Sequence, residues 1–149
     1  MKAIFFLIVL FFNSYALSEE HNNSYIEIIS NNLIITETPL VSEFIGNVYA
    51  KNGINHLWGD KMIVNYDNNK KIRLITVKDN VIFKRLNQKI TGNNAMYYPK
   101  IEKIVVTGSV IVTKDNNILT GDELTVDLLS SASIIKGNNN KQVSVKVAK

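Results

Sequence analysis

A spacing constrains this chain more than any single motif does. Gly46, Asp79 and Gly108 are each followed 13 residues later by a glycine, at Gly59, Gly92 and Gly121. The return steps from Ser30 to Gly46, Gly92 to Gly108 and Gly121 to Gly137 are 16 residues, and the step from Gly59 to Asp79 is 20. The full period is 29 residues with one four-residue insertion, which the polar run DNNKK at 67–71 accommodates. A motif that returns at such a period marks repeating architecture; an active site is built once.

The half-units read as strands. After Gly46, Asp79 and Gly108 come NVYAK, NVIFK and SVIVT, with apolar residues two and four places on: Val48 and Ala50, Val81 and Phe83, Val110 and Val112. After Ser30, Gly59, Gly92 and Gly121 the matching pairs are Leu33 and Ile35, Met62 and Val64, Ala95 and Tyr97, Leu124 and Val126. This is the period-two signature of one buried strand face. No sustained 3.6-residue period follows residue 18. Pro39 and Pro99 fall between strands, where they break no ladder, and KDNN (114–117) and GNNN (137–140) have turn chemistry. The expected fold class is therefore all-β, built on a two-strand repeat of 29 residues. The repeat glycines are expected to open turns, with Asp60 and Asp122 bonding the local backbone; a catalytic aspartate pair is the competing reading.

The chain has 149 residues and no cysteine, which excludes disulfides, thiolate metal sites and a thiol nucleophile. Residues 1–18 read as a secretory signal: Lys2, then the ten-residue apolar run AIFFLIVLFF, then ALS before Glu19. Ten residues are too few to cross a hydrocarbon core of about 30 Å as a helix. Residues 19–24 are expected to be a flexible N-terminus and 25–149 the folded domain. Retention of 1–18 as an anchor is the alternative. Cleavage removes Lys2, taking the net charge of +4 to +3. The cations are dispersed, without the Lys/Arg block that tracks a nucleic-acid backbone, so no nucleic-acid partner is expected.

The ordered set YIEII (25–29), GNV (46–48), WGDKMIVNY (58–66), DNV (79–81), TGNNAMYY (91–98), TGSV (107–110) and TGDELTVDL (120–128) resembles the OstA-like family, in its LptA-type periplasmic branch of lipopolysaccharide transport. Asp79 and Ser109 depart from the family's G-N-V. The resemblance implies an open, twisted β-jelly roll of consecutive antiparallel strands with an interior groove for lipopolysaccharide acyl chains. The groove positions would be Leu33, Ile35, Val48, Ala50, Met62, Val64, Val81, Phe83, Ala95, Tyr97, Val110, Val112, Leu124 and Val126. It also implies a periplasmic location, head-to-tail copies, and LptC-like inner-membrane and LptD-like outer-membrane partners. The alternatives are an LptC-like anchored subunit and a structural β-repeat protein without lipid cargo.

No enzyme constellation competes. His21 stands near the expected mature end and His56 in a polar stretch read as a turn. Nucleophile-elbow, P-loop, dinucleotide and HExxH motifs are absent, so neither cofactor nor metal is expected. Trp58 reads as a rim or core packer. The final alternating run QVSVKV (142–147) reads as an unblunted edge strand, open to pairing with YIEII of another copy.

Overall fold

The computed structural model describes residues 27–127, 129–130, 132–138 and 140–148. The signal segment, residues 19–24 and the first two residues of YIEII lie outside them. Among the described residues ten strands form one antiparallel sheet. They are β1 (Glu27–Ile29), β2 (Asn32–Glu37), β3 (Leu40–Asn52), β4 (Asn55–Tyr66), β5 (Ile72–Arg85), β6 (Gln88–Tyr98), β7 (Lys103–Lys114), β8 (Asn117–Asp127), β9 (Ala132–Lys136) and β10 (Ser144–Lys146). β3 to β8 pair in chain order. β1 and β2 pair with the two halves of β3 at one edge; β10 and β9 pair with the two halves of β8 at the other.

The connections use the expected chemistry. Asp67 accepts from the backbone N–H groups of Asn69 and Lys71 at 2.8 and 2.9 Å, fixing the turn in DNNKK. Asp115 and Asn116 both take positive φ, the two-residue hairpin conformation for which Asx residues are suited. Pro99 opens a 3-10 turn, Pro99–Ile101, between β6 and β7.

Five of the repeat glycines are not at turns; only Gly137, which follows β9, lies outside a strand. Gly46, Gly59, Gly92, Gly108 and Gly121 lie inside β3, β4, β6, β7 and β8, and Asp79 lies inside β5. Each marks a shift of register. Ile45 opposes Lys61 and Val48 opposes Gly59, so two residues of β3 face one of β4. The same two-to-one count recurs at Asp79/Asn80 against β6 and at Gly108/Ser109 against β8. These are β-bulges, and a bulge bends its strand. The 13-residue step is thus the path from one bulge round a hairpin tip to the facing glycine.

A row of bulges at one level creases the whole sheet. In β3, β5 and β7 the crease takes two successive positive-φ residues: Gly46/Asn47, Asp79/Asn80 and Gly108/Ser109. The facing glycines answer a different need. A Cβ on Gly59 would lie 2.5 Å from Val77 Cγ1, one on Gly92 2.6 Å from Val106 Cγ1, and one on Gly121 2.6 Å from Ile135 Cγ1. The concave side of a crease has no room for a side chain there.

Folding along the crease lets one face of a single sheet cover itself. Val48, Ala50, Met62, Val64, Val81, Phe83, Tyr97, Val110, Val112, Leu124 and Val126 are buried, and Ile75, Val77, Ile90, Ile104 and Val106 join them. Burial of each larger aliphatic side chain contributes about 1.5–3 kcal/mol. The two edges of the sheet remain unpaired with one another, so this is an open β-jelly roll.

Candidate functional site

Cross-strand register arranges the inward side chains in rows. On one side of the crease runs Ala50–Leu57–Phe83–Ile90–Val112–Leu119. On the other run Phe44–Met62–Val77–Ala95–Val106–Leu124 and Val64–Ile75–Tyr97–Ile104–Val126. Between the two sides, at β4–β7, lies an almost wholly apolar cavity of about 70 Å³ lined by Leu57, Phe83 and Ile90 from one side and Ile75, Tyr97 and Val106 from the other. That is several times the roughly 10–15 Å³ a single water needs, but its lining offers water no partners. It has room for a few methylenes; a longer chain must part the two halves of the sheet.

The two ends of this interior are polar. Beyond Leu57 and Ile90, toward the hairpin tips, Asn55 and Gln88 face inward at 2% and 4% exposure. Asn55 donates to the Asn52 carbonyl at 3.2 Å. At the other end the Tyr97 hydroxyl is pushed above its ordinary pKa, first by burial and then by the negative charge of Glu102.

Of the fourteen positions expected in the groove, eleven are buried on this face and Ala95 is half-buried against the core. Leu33 and Ile35 differ. Register puts them on the same face, opposite Phe44 and Ser42, yet they are 52% and 60% exposed. They belong to edge strand β2, which among the described residues has no neighbour on its outer side to cover them. At the other edge Val143, Val145 and Val147 are also exposed, and the expected strand at 142–147 contracts to Ser144–Lys146.

The lining residues not anticipated from the sequence carry a readable signal. Ile75 and Val77, and Ile104 and Val106, stand four and two places before Asp79 and Gly108; Leu57, Ile90 and Leu119 stand two places before Gly59, Gly92 and Gly121. Alternation therefore continues through each repeat residue to its N-terminal side. It goes unnoticed because β4, β6 and β8 change phase at their glycine: Leu57 and Gly59 face inward, and then Met62 and Val64. Asp60 and Asp122 form no pair: Asp60 accepts from the Asn80 side-chain amide at 2.7 Å rather than from local backbone. His56 lies on β4, not in a turn, and its Nδ1 is 2.8 Å from the Tyr49 hydroxyl. Trp58 packs beside both rings on the outer face, not in the core. No group of histidine or carboxylate side chains suited to a metal, and no helix long and apolar enough to cross a membrane, occurs among the described residues.

Comparison with known proteins agrees with this geometry. The crystal structure of LptH from Pseudomonas aeruginosa, described as the LptA-homologous periplasmic component of its lipopolysaccharide transport device, superposes with a TM-score of 0.70 over 85% of this chain and 96% of that one. Sequence identity is 13%, so the likeness is one of fold. No curated protein matches by sequence. The family model described as LptA/(LptD N-terminal domain) LPS transport protein matches residues 27–131. The creased sheet, its apolar interior and this match over most of the chain lead to one conclusion: the chain belongs to the LptA/LptD N-terminal-domain family of lipopolysaccharide transport proteins.

Proposed function

We propose that this chain is a non-enzymatic periplasmic bridge. It carries lipopolysaccharide from an LptC-like inner-membrane complex to an LptD-like outer-membrane complex, with the acyl chains lying between the halves of the creased sheet. The observation that carries the reading is the apolar cavity between the two inward faces, flanked by sheet edges that stay unpaired and apolar. An acyl chain gains about 0.8 kcal/mol for each methylene it buries. That gain offsets parting the halves, which are joined across the crease by continuous backbone and held together elsewhere by apolar contact.

The exposed edges suit head-to-tail stacking. β1 and β2 present Ile29, Leu33 and Ile35 at one end, and β10 presents Val145 at the other, each 50% or more exposed. Strand addition between such edges forms an open chain of copies that does not close on itself.

The test is site-specific photo-crosslinking in the periplasm. A photoreactive side chain at Phe83, inward and lining the cavity, captures lipopolysaccharide; one at Val105, which points outward between the inward Ile104 and Val106 of β7, does not. Equal capture at both positions would sink the assignment of the groove.

A further inference from the structure

The outer face near the β3–β4 and β5–β6 hairpin tips carries chemistry that the groove leaves unused. Tyr49, His56 and Trp58 alternate with the inward Ala50 and Leu57, so they point away from the core. Their rings form one platform. Tyr49 and Trp58 centroids are 5.2 Å apart, and His56 and Trp58 are 5.8 Å apart and nearly parallel at 14°. The Tyr49 hydroxyl and His56 Nδ1, 2.8 Å apart, tie the platform together. Lys84 Nζ lies 5.6 Å from the Trp58 ring centroid.

Charge gathers beside it. Register sets Lys51, His56, Lys84 and Lys89 in one cross-strand row on four successive strands. Like charges directly opposite destabilise a sheet, and Lys84 stands directly opposite Lys89. Among the described residues no carboxylate lies within ion-pair distance of Lys51, Lys84 or Lys89. The row's one carboxylate, Glu27, sits at the sheet edge opposite Lys51.

Two adjoining hollows share Trp58 and Lys84. One is lined also by Tyr49, Lys51 and His56. The other is lined also by Asn47, Asp60 and Asn80, where a carboxylate and an amide are already joined at 2.7 Å. A flat ring flanked on one side by cations and on the other by planar polar groups matches a ligand with an apolar face, an anionic group and several hydroxyls.

We propose that this outer face binds a phosphorylated saccharide. The sugar lies against Trp58, its phosphate meets Lys51 and Lys84, and its hydroxyls meet Asp60 and Asn80. A single-stranded nucleic acid fits less well. It needs successive stacking platforms along a cationic track, whereas here one platform ends at Asp60, whose charge repels a phosphodiester chain. The phosphosaccharide has two possible sources, the headgroup of a lipid or a free sugar phosphate.

Trp58 is the chain's one tryptophan, so its fluorescence reads this site alone. The protein is titrated with glucosamine 1-phosphate, deacylated lipopolysaccharide, intact lipopolysaccharide, unphosphorylated glucosamine, inorganic phosphate and oligothymidylate. A saturable change with the phosphorylated sugars, roughly tenfold weaker with glucosamine or phosphate alone, is the expected result. Lys84→Gln and Asp60→Asn each weaken it by roughly tenfold while moving the thermal midpoint by no more than about 2–4 °C, since both side chains are exposed. A response to intact and deacylated lipopolysaccharide that outcompetes glucosamine 1-phosphate assigns the lipid headgroup; a response to glucosamine 1-phosphate alone assigns a free sugar phosphate. The proposal is overturned if no phosphosaccharide changes Trp58 emission, if both variants bind as the parent does, or if oligothymidylate binds as tightly. None of these outcomes depends on what Phe83 captures, so this site and the groove stand or fall separately.

Discussion

Replacing Gly59 by alanine tests the crease directly. The added methyl would sit 2.5 Å from Val77 Cγ1, while its next contacts, the Asp79 and Lys78 carbonyl oxygens at 3.5 and 3.6 Å, are ordinary. The clash is therefore with one side chain. Val77 is β-branched and 4% exposed, so it has no free rotamer to retreat into. Overpacking of this kind costs about 1–3 kcal/mol, less about 0.4–1 for the reduced freedom of the unfolded chain. Val77→Ala alone removes two buried methyl groups at about 0.8 kcal/mol each and leaves a small void, about 2 kcal/mol together. The double variant removes the clash and lets the methyl at 59 fill part of that void. It should be no less stable than Val77→Ala, with a favourable coupling of about 1–2 kcal/mol. Urea unfolding of the four proteins measures the cycle, and each kcal/mol should also move the thermal midpoint by about 2–4 °C for a chain of this size. Additivity within about 0.5 kcal/mol would mean that Gly59 and Val77 do not meet, and the reasoning about the crease would fail.

Three further outcomes follow from the same structure. Because the Tyr97 hydroxyl titrates above its ordinary value of 10.0, its contribution is complete below pH 10.0 and is lost as pH rises beyond it; Tyr97→Phe should flatten the alkaline fall of the urea midpoint, and an unchanged slope would contradict its burial. Asp127 is held below its ordinary 3.8, first by the Ser130 backbone N–H at 2.9 Å and also by that of Leu129 at 3.0 Å, so its contribution is present above pH 3.8 and lost on acidification below it. Asp127→Ala should lower the neutral-pH midpoint slightly and make the profile below pH 3.8 shallower, as followed by circular dichroism. Deleting 142–149 should leave the buried rows intact, since Val143, Val145 and Val147 are 39–71% exposed, yet convert concentration-dependent oligomers to one small species on size exclusion; unchanged association would remove this edge from the stacking reading.

The alternation after each repeat residue was enough to identify eleven buried positions, because strand parity is a local property. Parity alone could not place Leu33 and Ile35, which keep the inward register but lack an outer neighbour. Nor could it join Ile75 and Val77 to Val81 and Phe83 as one strand, since Asp79 and Asn80 look like a turn and do take turn-like φ values of 60° and 53°. What distinguishes a bulge from a turn is whether the chain beyond it continues against the same neighbour, and that neighbour is up to a hairpin away. Tyr49, His56 and Trp58 were equally invisible as a group: they converge because β3 and β4 pair in one particular register.

By itself, then, the sequence determined the strand content, the 29-residue period and the apolar character of one face, all set by backbone geometry over a few residues. Only the tertiary structure decided that the repeat glycines crease the sheet, that the crease closes the face upon a cavity, and that the outermost apolar residues stay uncovered. Those properties depend on which strand lies alongside and what lies across the fold, and no stretch of chain contains its own neighbours.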